Sequence, residues 1–256
     1  MAMQQRWPDR LWIVRHGESA GNVARDRAHA AGLARLDLDI RDADVPLSAL
    51  GQQQAEALGG WFAAMPKEQQ PEAVLVSPYV RAQQTAERVA QKADLPIQPR
   101  DFVCDERLRE KEFGILDRLT DAGIAQHHPE QAEFRRILGK FYHRPPGGES
   151  WCDVILRLRS VLDTISLHYD GCRVLVVTHQ VVVMCLRYLM ENLTEKQVLA
   201  IGTEAEVANC SVTEYAFDPG LGKAGGLALR RFNFVAPVAR AGTPVTSAAD
   251  AKVGVR

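Results

Sequence analysis

The stretch RLWIVRHGESAGN, residues 10–22, runs from apolar residues straight into Arg15, His16, Gly17, Glu18 and Asn22. A second stretch, AVLVSPYVRAQQT, carries Arg81 shortly after an apolar run, and a third, RVLVVTHQ, ends in His179 and Gln180. Two arginines and two histidines gathered in one place would make a positive pocket suited to a phosphoryl group. Phosphoryl oxygens accept several charge-assisted hydrogen bonds, and the planar guanidinium can donate two at once. Only a neutral imidazole can attack phosphorus, and neighbouring arginines favour that form by repelling the imidazolium. Gly17 is expected to let the backbone approach the phosphate without an intervening side chain.

These residues need elements that bring them together. LWIV (11–14), AVLVS (73–77) and RVLVVT (173–178) are short, branched and almost continuously apolar, the pattern of central parallel strands covered on both faces. Between them lie helical stripes. Leu50, Leu58, Trp61, Phe62 and Met65 form one, with Ser48 as a cap, and Val154, Leu158, Val161, Leu162 and Ile165 form another. The order strand, helix, strand predicts an α/β three-layer sandwich with a mostly parallel central sheet flanked by helices. In such a sheet the carboxyl ends of the strands share one crevice, where ligands bind. Helices starting just after Gly17, Pro78 and His179 would add backbone N–H groups and positive helix ends there.

Two segments interrupt the order. Residues 23–47 are mixed and end in a loop that leads into a helix. Residues 100–148 lack a strong strand run and are read as a mainly helical insertion on the substrate side, where selectivity would sit. SVTEYAF and GLALRRFNF alternate in polarity and predict an antiparallel edge pair. A domain over 8–236 follows, with a tail over 237–256 expected to be mobile or lightly packed.

Composition sets outer bounds. The chain has 256 residues, 46% apolar and 25% charged, with a formal charge of -1, so bulk attraction to nucleic acid or anionic lipid is not expected. Five cysteines without paired or metal-ligand spacing suggest reduced thiols in a cytoplasmic protein. The polar N-terminus and the short apolar runs predict no membrane association. There is no HExxH segment, and the adjacent His127 and His128 read as part of a surface helix, so neither a metal nor another cofactor is expected.

RHGES with Asn22, then SPYVRAQQTAE, LREKEFG, GGES and VVTHQ together resemble the histidine phosphatase superfamily in order and spacing. The resemblance spans about residues 10–200 and implies a metal-independent phosphatase. It implies that His16 is the nucleophile, becoming a phosphohistidine, and that Arg15, Arg81 and His179 hold the phosphoryl oxygens. Asn22 is implied as a further phosphate contact, and Glu110 as the proton donor to the leaving oxygen. On chemistry alone Glu106 and Glu112 are rivals for that last role; the motif register selects Glu110.

The segments HRPPGGESWCDVILRL and VVTHQVVVMCLRYLM resemble the fructose-2,6-bisphosphatase and broad-specificity phosphatase branch more than the phosphoglycerate mutases. Gln180 and Arg144 match sugar-phosphate contacts of that branch. By register, however, Met184, Asp121 and Gly147 replace residues that would grip a second phosphate. A second phosphate without partners would be desolvated at a cost. A small phosphorylated metabolite with one phosphate is therefore the expected partner of a monomer or homodimer. Alternatives are a bisphosphatase-like or mutase-like enzyme, and a non-catalytic phospho-ligand binding module. The joint presence of Arg15, His16, Arg81, Glu110 and His179 speaks against the module, which needs no proton donor. No Walker-type segment for a fused kinase is present in the sequence.

Overall fold

Branched apolar residues at the strand positions pair into a six-stranded mixed sheet in the computed structural model, which describes residues 6–222 and 224–247. In chain order the elements are β1 (Arg10–Arg15), α1 (Ala20–Ala30), α2 (Ala49–Ala63), β2 (Ala73–Val76), α3 (Val80–Ala93), β3 (Val103–Cys104), α4 (Asp121–His127) and α5 (Pro129–Tyr142). They continue with α6 (Trp151–His168), β4 (Arg173–Thr178), α7 (Gln180–Met190), α8 (Glu195–Glu204), β5 (Val212–Asp218), β6 (Gly226–Phe234) and α9 (Ala236–Arg240).

The strand order is β3-β2-β4-β1-β5-β6. The first four strands in that order are parallel, and β5 and β6 form the antiparallel pair at the other edge. Successive strand residues face opposite sides, so each strand feeds two cores. Leu11, Ile13, Val174 and Val176 pack with α6 and α7 residues such as Leu158, Val161 and Val182. Trp12, Val14, Leu175 and Val177 pack with Leu58 and Phe62 of α2 and Ala82, Ala86 and Val89 of α3. Continuous apolar strands are the consequence of both faces being buried.

Caps set the helix starts. Ser48 accepts from Gly51 N at 3.0 Å, and Ser150 forms a capping box with Asp153. The segment 100–148 is mainly helical as expected, adding only the two-residue β3 at the sheet edge. It pairs with the 23–47 segment: Leu36 N donates to Arg118 O at 2.9 Å and Thr120 N to Ala34 O at 3.1 Å. The two segments together roof the carboxyl ends of the strands.

The tail expected over 237–256 to be mobile or lightly packed differs at its start, where it begins in the core. Pro237 and Val238 are buried in α9, and Val238 joins the core on the α2 side. Gln54 Nε2 donates to Pro244 O and to Thr246 Oγ1, both at 2.9 Å, so the backbone is tied down to that point. Long-range burial, invisible in a local Ala, Val, Thr and Gly composition, is the reason. Residues 248–256 lie outside the described residues.

Candidate active site

The register puts the chemistry at one level. Arg15 pairs with Thr178 at the ends of β1 and β4, His16 N donates to Thr178 O at 2.9 Å, and Ser77 N donates to Val177 O at 3.1 Å. Arg15, His16, Ser77 and His179 therefore leave neighbouring strands side by side.

His16 is buried, with Nδ1 at 2.6 Å from Gly17 O. A carbonyl only accepts, so Nδ1 carries the hydrogen and Nε2 keeps its lone pair. Arg81 Nε donates to that Nε2 at 3.3 Å. Burial, then the charges of Arg81 and Arg15, hold the imidazole pKa well below its ordinary 6.5. The result is a neutral ring whose unprotonated Nε2 is fixed in direction.

His179 caps α7 and is fully buried, its ring centroid 5.1 Å from that of His16. Its Nε2 is 2.7 Å from Ser77 Oγ, which also accepts from Tyr79 N at 3.3 Å. A hydroxyl oxygen has two lone pairs, so Ser77 either accepts from His179 Nε2 or donates to it, and in the second case the ring hydrogen falls on Nδ1. Nδ1 has no partner among the described residues. Leaving a buried polar nitrogen unmatched costs about 1–3 kcal/mol, which an incoming oxygen would recover when Nδ1 carries the hydrogen. Burial and Arg81 lower this imidazole's pKa as well.

Arg15, His16, Asn22, Arg81, Glu110 and Gln180 line one cleft; His179, fully buried, is not among its lining residues. Of the three candidate carboxylates only Glu110 reaches it. Glu106 is exposed, and Glu112 accepts from Tyr79 Oη at 2.8 Å. Glu110 accepts from Lys111 N at 2.8 Å, and burial raises its pKa above the ordinary 4.5 against the opposing pull of that hydrogen bond, Arg81 and Arg15. Its loop is held from behind. Arg157 Nη2 donates to Glu110 O at 3.2 Å and pairs with Glu149, which in turn accepts from Glu112 N at 3.1 Å. The glutamate of GGES is thus a support for the loop that carries Glu110.

Arg81, in the first turn of α3, turns its fork toward Asp42: Nη1 donates to the Asp42 carbonyl and Nη2 to its carboxylate at 2.9 Å. A resident carboxylate therefore occupies the groups that would hold phosphoryl oxygens. Sequence reasoning missed Asp42 and Ser77, because neither lies in a periodic pattern and each is recognised only through a distant partner.

Two expectations change. Arg144 does not line the cleft; its guanidinium pairs with Asp153 at 3.1 Å, because that carboxylate caps α6 beside it. Gly17 is needed for packing: a Cβ there would stand 2.5 Å from Gly51 O of α2. Further out the cleft is lined by Arg135, Lys140 and His143 on one side and by Leu36, Leu38, Leu119 and Ile124 on another. Met184 is buried in the core and Gly147 is absent from the lining, whereas Asp121 is in it.

An α/β sheet whose strand ends converge arginines, histidines and a protonatable carboxylate defines a phosphoryl-handling enzyme. The chain belongs to the histidine phosphatase superfamily (branch 1), whose profile matches residues 11–228. Members of that superfamily are phosphatases that act on phosphomonoesters without a metal. The chain is 34% identical over 172 residues to the bifunctional protein Rv2228c of Mycobacterium tuberculosis, covering 67% of this chain and 41% of that one. It is 32% identical over 222 residues to 6-phosphofructo-2-kinase/fructose-2,6-bisphosphatase of Caenorhabditis elegans, covering 82% of this chain and 42% of that one. This chain thus spans about two fifths of the length of these relatives. The solved mycobacterial glucosyl-3-phosphoglycerate phosphatase Rv2419c with inorganic phosphate superposes with a TM-score of 0.65 at 23% identity, covering 90% of this chain and 99% of that one. At that identity the likeness concerns the fold. No helix among the described residues is long and apolar enough to cross a membrane.

Proposed function

We propose that this protein hydrolyses a small phosphomonoester, a soluble metabolite of the cytoplasm, through a phosphohistidine on His16. The observation that carries the reading is the pair of bonds on His16: Nδ1 donates to Gly17 O, which leaves Nε2 unprotonated, and the Nε2 lone pair accepts only a long 3.3 Å bond from Arg81 Nε that an incoming phosphoryl group would displace.

In the first step Nε2 forms a bond to phosphorus while the P–O ester bond breaks. The electron pair leaves on the ester oxygen, which takes the Glu110 proton. Arg15, Arg81, Asn22 and the Nδ1–H of His179 hold the phosphoryl oxygens as charge redistributes. In the second step water attacks phosphorus, the N–P bond breaks, and Glu110 takes back the water's proton. No metal is assigned a part, because the side chains already supply the positive charge.

A second reading, a substrate with a further anionic group as in a bisphosphatase or a mutase, is favoured by Arg135 and Lys140 in the outer cleft. Phosphate release from aryl phosphates, sugar mono- and bisphosphates, phosphoglycerates, nucleotides and phosphoserine, all with excess chelator, tests both. Broad activity on monoesters supports the first; strong selectivity for a bisphosphate supports the second. Inertness toward all of them would favour a binding module instead.

A further inference from the structure

The catalytic loop is held from below by a buried amide network that reaches into the C-terminal segment. Asn209, 1% exposed, donates through Nδ2 to His16 O at 3.0 Å and to Asn22 Oδ1 at 3.4 Å. Its backbone N donates to Thr246 O at 2.8 Å, and its Oδ1 accepts from Thr246 Oγ1 at 3.1 Å. Gln54, fully buried on α2, donates to Pro244 O and Thr246 Oγ1, while its Oε1 accepts from Glu18 N at 2.9 Å. The loop is thus gripped at His16 O on one side and at Glu18 N on the other.

The consequence for Asn22 is specific. Its Oδ1 accepts from Ser19 N at 3.0 Å, from Ser19 Oγ at 3.1 Å and from Asn209 Nδ2. With the oxygen end claimed by three donors, the amide cannot flip, and Nδ2 is left to face the cleft that Asn22 lines. Loss of Asn209 would remove one reason for that orientation and slacken the peptide that carries His16.

We infer that Asn209, held in place by Thr246 and Gln54, is a positioning residue for phosphoryl transfer, fixing Asn22 to donate through Nδ2 and His16 to attack along one line. The C-terminal segment through Thr246 is thereby part of the catalytic apparatus rather than a trailing end. This rests on the reading of Asn22 as a phosphoryl contact. A structural clasp alone would lower stability without caring whether Asn22 is present.

The test is a double-mutant cycle on the full chain: wild type, N22A, N209A and N22A/N209A, each measured for kcat/KM on an aryl phosphate and for inorganic phosphate affinity by calorimetry. N209A should cost about tenfold in the wild-type background, the effect of one misplaced buried donor, and less than half that factor once Asn22 is gone. T246V, which keeps the backbone carbonyl but removes the hydroxyl, should lose activity in the same direction, and T246S should restore it. Equal costs of N209A in both backgrounds, or T246V as active as T246S, would overturn the inference. Because the phosphate arm reads the same coupling without turnover, an active enzyme with additive costs refutes the inference, whereas a wild type that neither turns over nor binds phosphate refutes the proposed function beneath it.

Discussion

Asp42 holds the fork of Arg81 while the third nitrogen of the same guanidinium, Nε, donates to His16 Nε2 at 3.3 Å. One arginine therefore links a displaceable carboxylate to His16 Nε2, and in the proposed reaction an incoming phosphoryl group has to displace both, taking the fork from Asp42 and the Nε2 lone pair from Arg81 Nε.

Asp42→Asn should tighten the binding of phosphate and vanadate. The Asp42 side chain is 43% exposed, so solvent screens its pairing with Arg81, and the gain is modest. A two- to fivefold lower dissociation constant is expected, matching about 1 kcal/mol or less for such a pair. Calorimetric titration of both proteins with inorganic phosphate checks this; weaker binding by the variant would mean that Asp42 orients Arg81 instead of competing for it.

Ser77→Ala should slow phosphorylation of the enzyme about tenfold or more, the usual cost of breaking a buried hydrogen bond. In the proposed mechanism the Ser77 hydroxyl donates to Nε2 and keeps the His179 hydrogen on Nδ1, and without it that hydrogen is free to move to Nε2. Single-turnover rates measure the effect, and Ser77→Thr should recover part of the loss. An Ala variant with the wild-type rate would exclude a role for the His179 tautomer.

Glu110→Gln should discriminate between leaving groups. A nitrophenolate departs unaided, so its release should change little, whereas release of an alkoxide should fall by about a hundredfold, the lower range for general acid catalysis. The raised Glu110 pKa keeps the acid protonated above the ordinary 4.5, and the alkyl rate should decline as pH rises through the raised value. That alkaline limb should vanish in the variant. Equal losses for both leaving groups would assign Glu110 to pocket architecture.

Stability should fall on acidification from a well-defined point. His16 and His179 have folded pKa values below 6.5, so beneath that value the unfolded chain binds protons that the folded chain refuses. Their contribution is present above 6.5 and is lost as pH falls toward the lower folded values. Glu110 has the opposite sign, being stabilising below 4.5 and losing that contribution as pH rises through its raised value. Denaturant unfolding of E110Q between pH 7 and 5, compared with E110Q/H16Q/H179Q, separates these two histidines from His143, whose pKa burial also lowers, and the same pH dependence in both would contradict their buried neutral state.

The strands and the residues at their ends were legible because burial of both sheet faces leaves continuous branched runs, and Arg15, His16 and His179 stand where those runs stop. Glu110 was legible only through its motif, since Glu106 and Glu112 are chemically equal until the cleft separates them. Asp42, Ser77, Gln54 and Asn209 were not legible, because their meaning lies in single hydrogen bonds to distant residues. Arg144 misled for a related reason: a nearby cap carboxylate claimed it.

The neutral lone pair on His16 Nε2 is the centre of the proposed mechanism, and its covalent product is the most direct check. A rapid quench that avoids acid, with a phosphorus-labelled aryl phosphate, followed by peptide mapping, should place the label on the peptide containing His16 and on no other, with His16→Ala unlabelled and inactive. Label on His179, or active turnover with no labelled histidine at all, would contradict it.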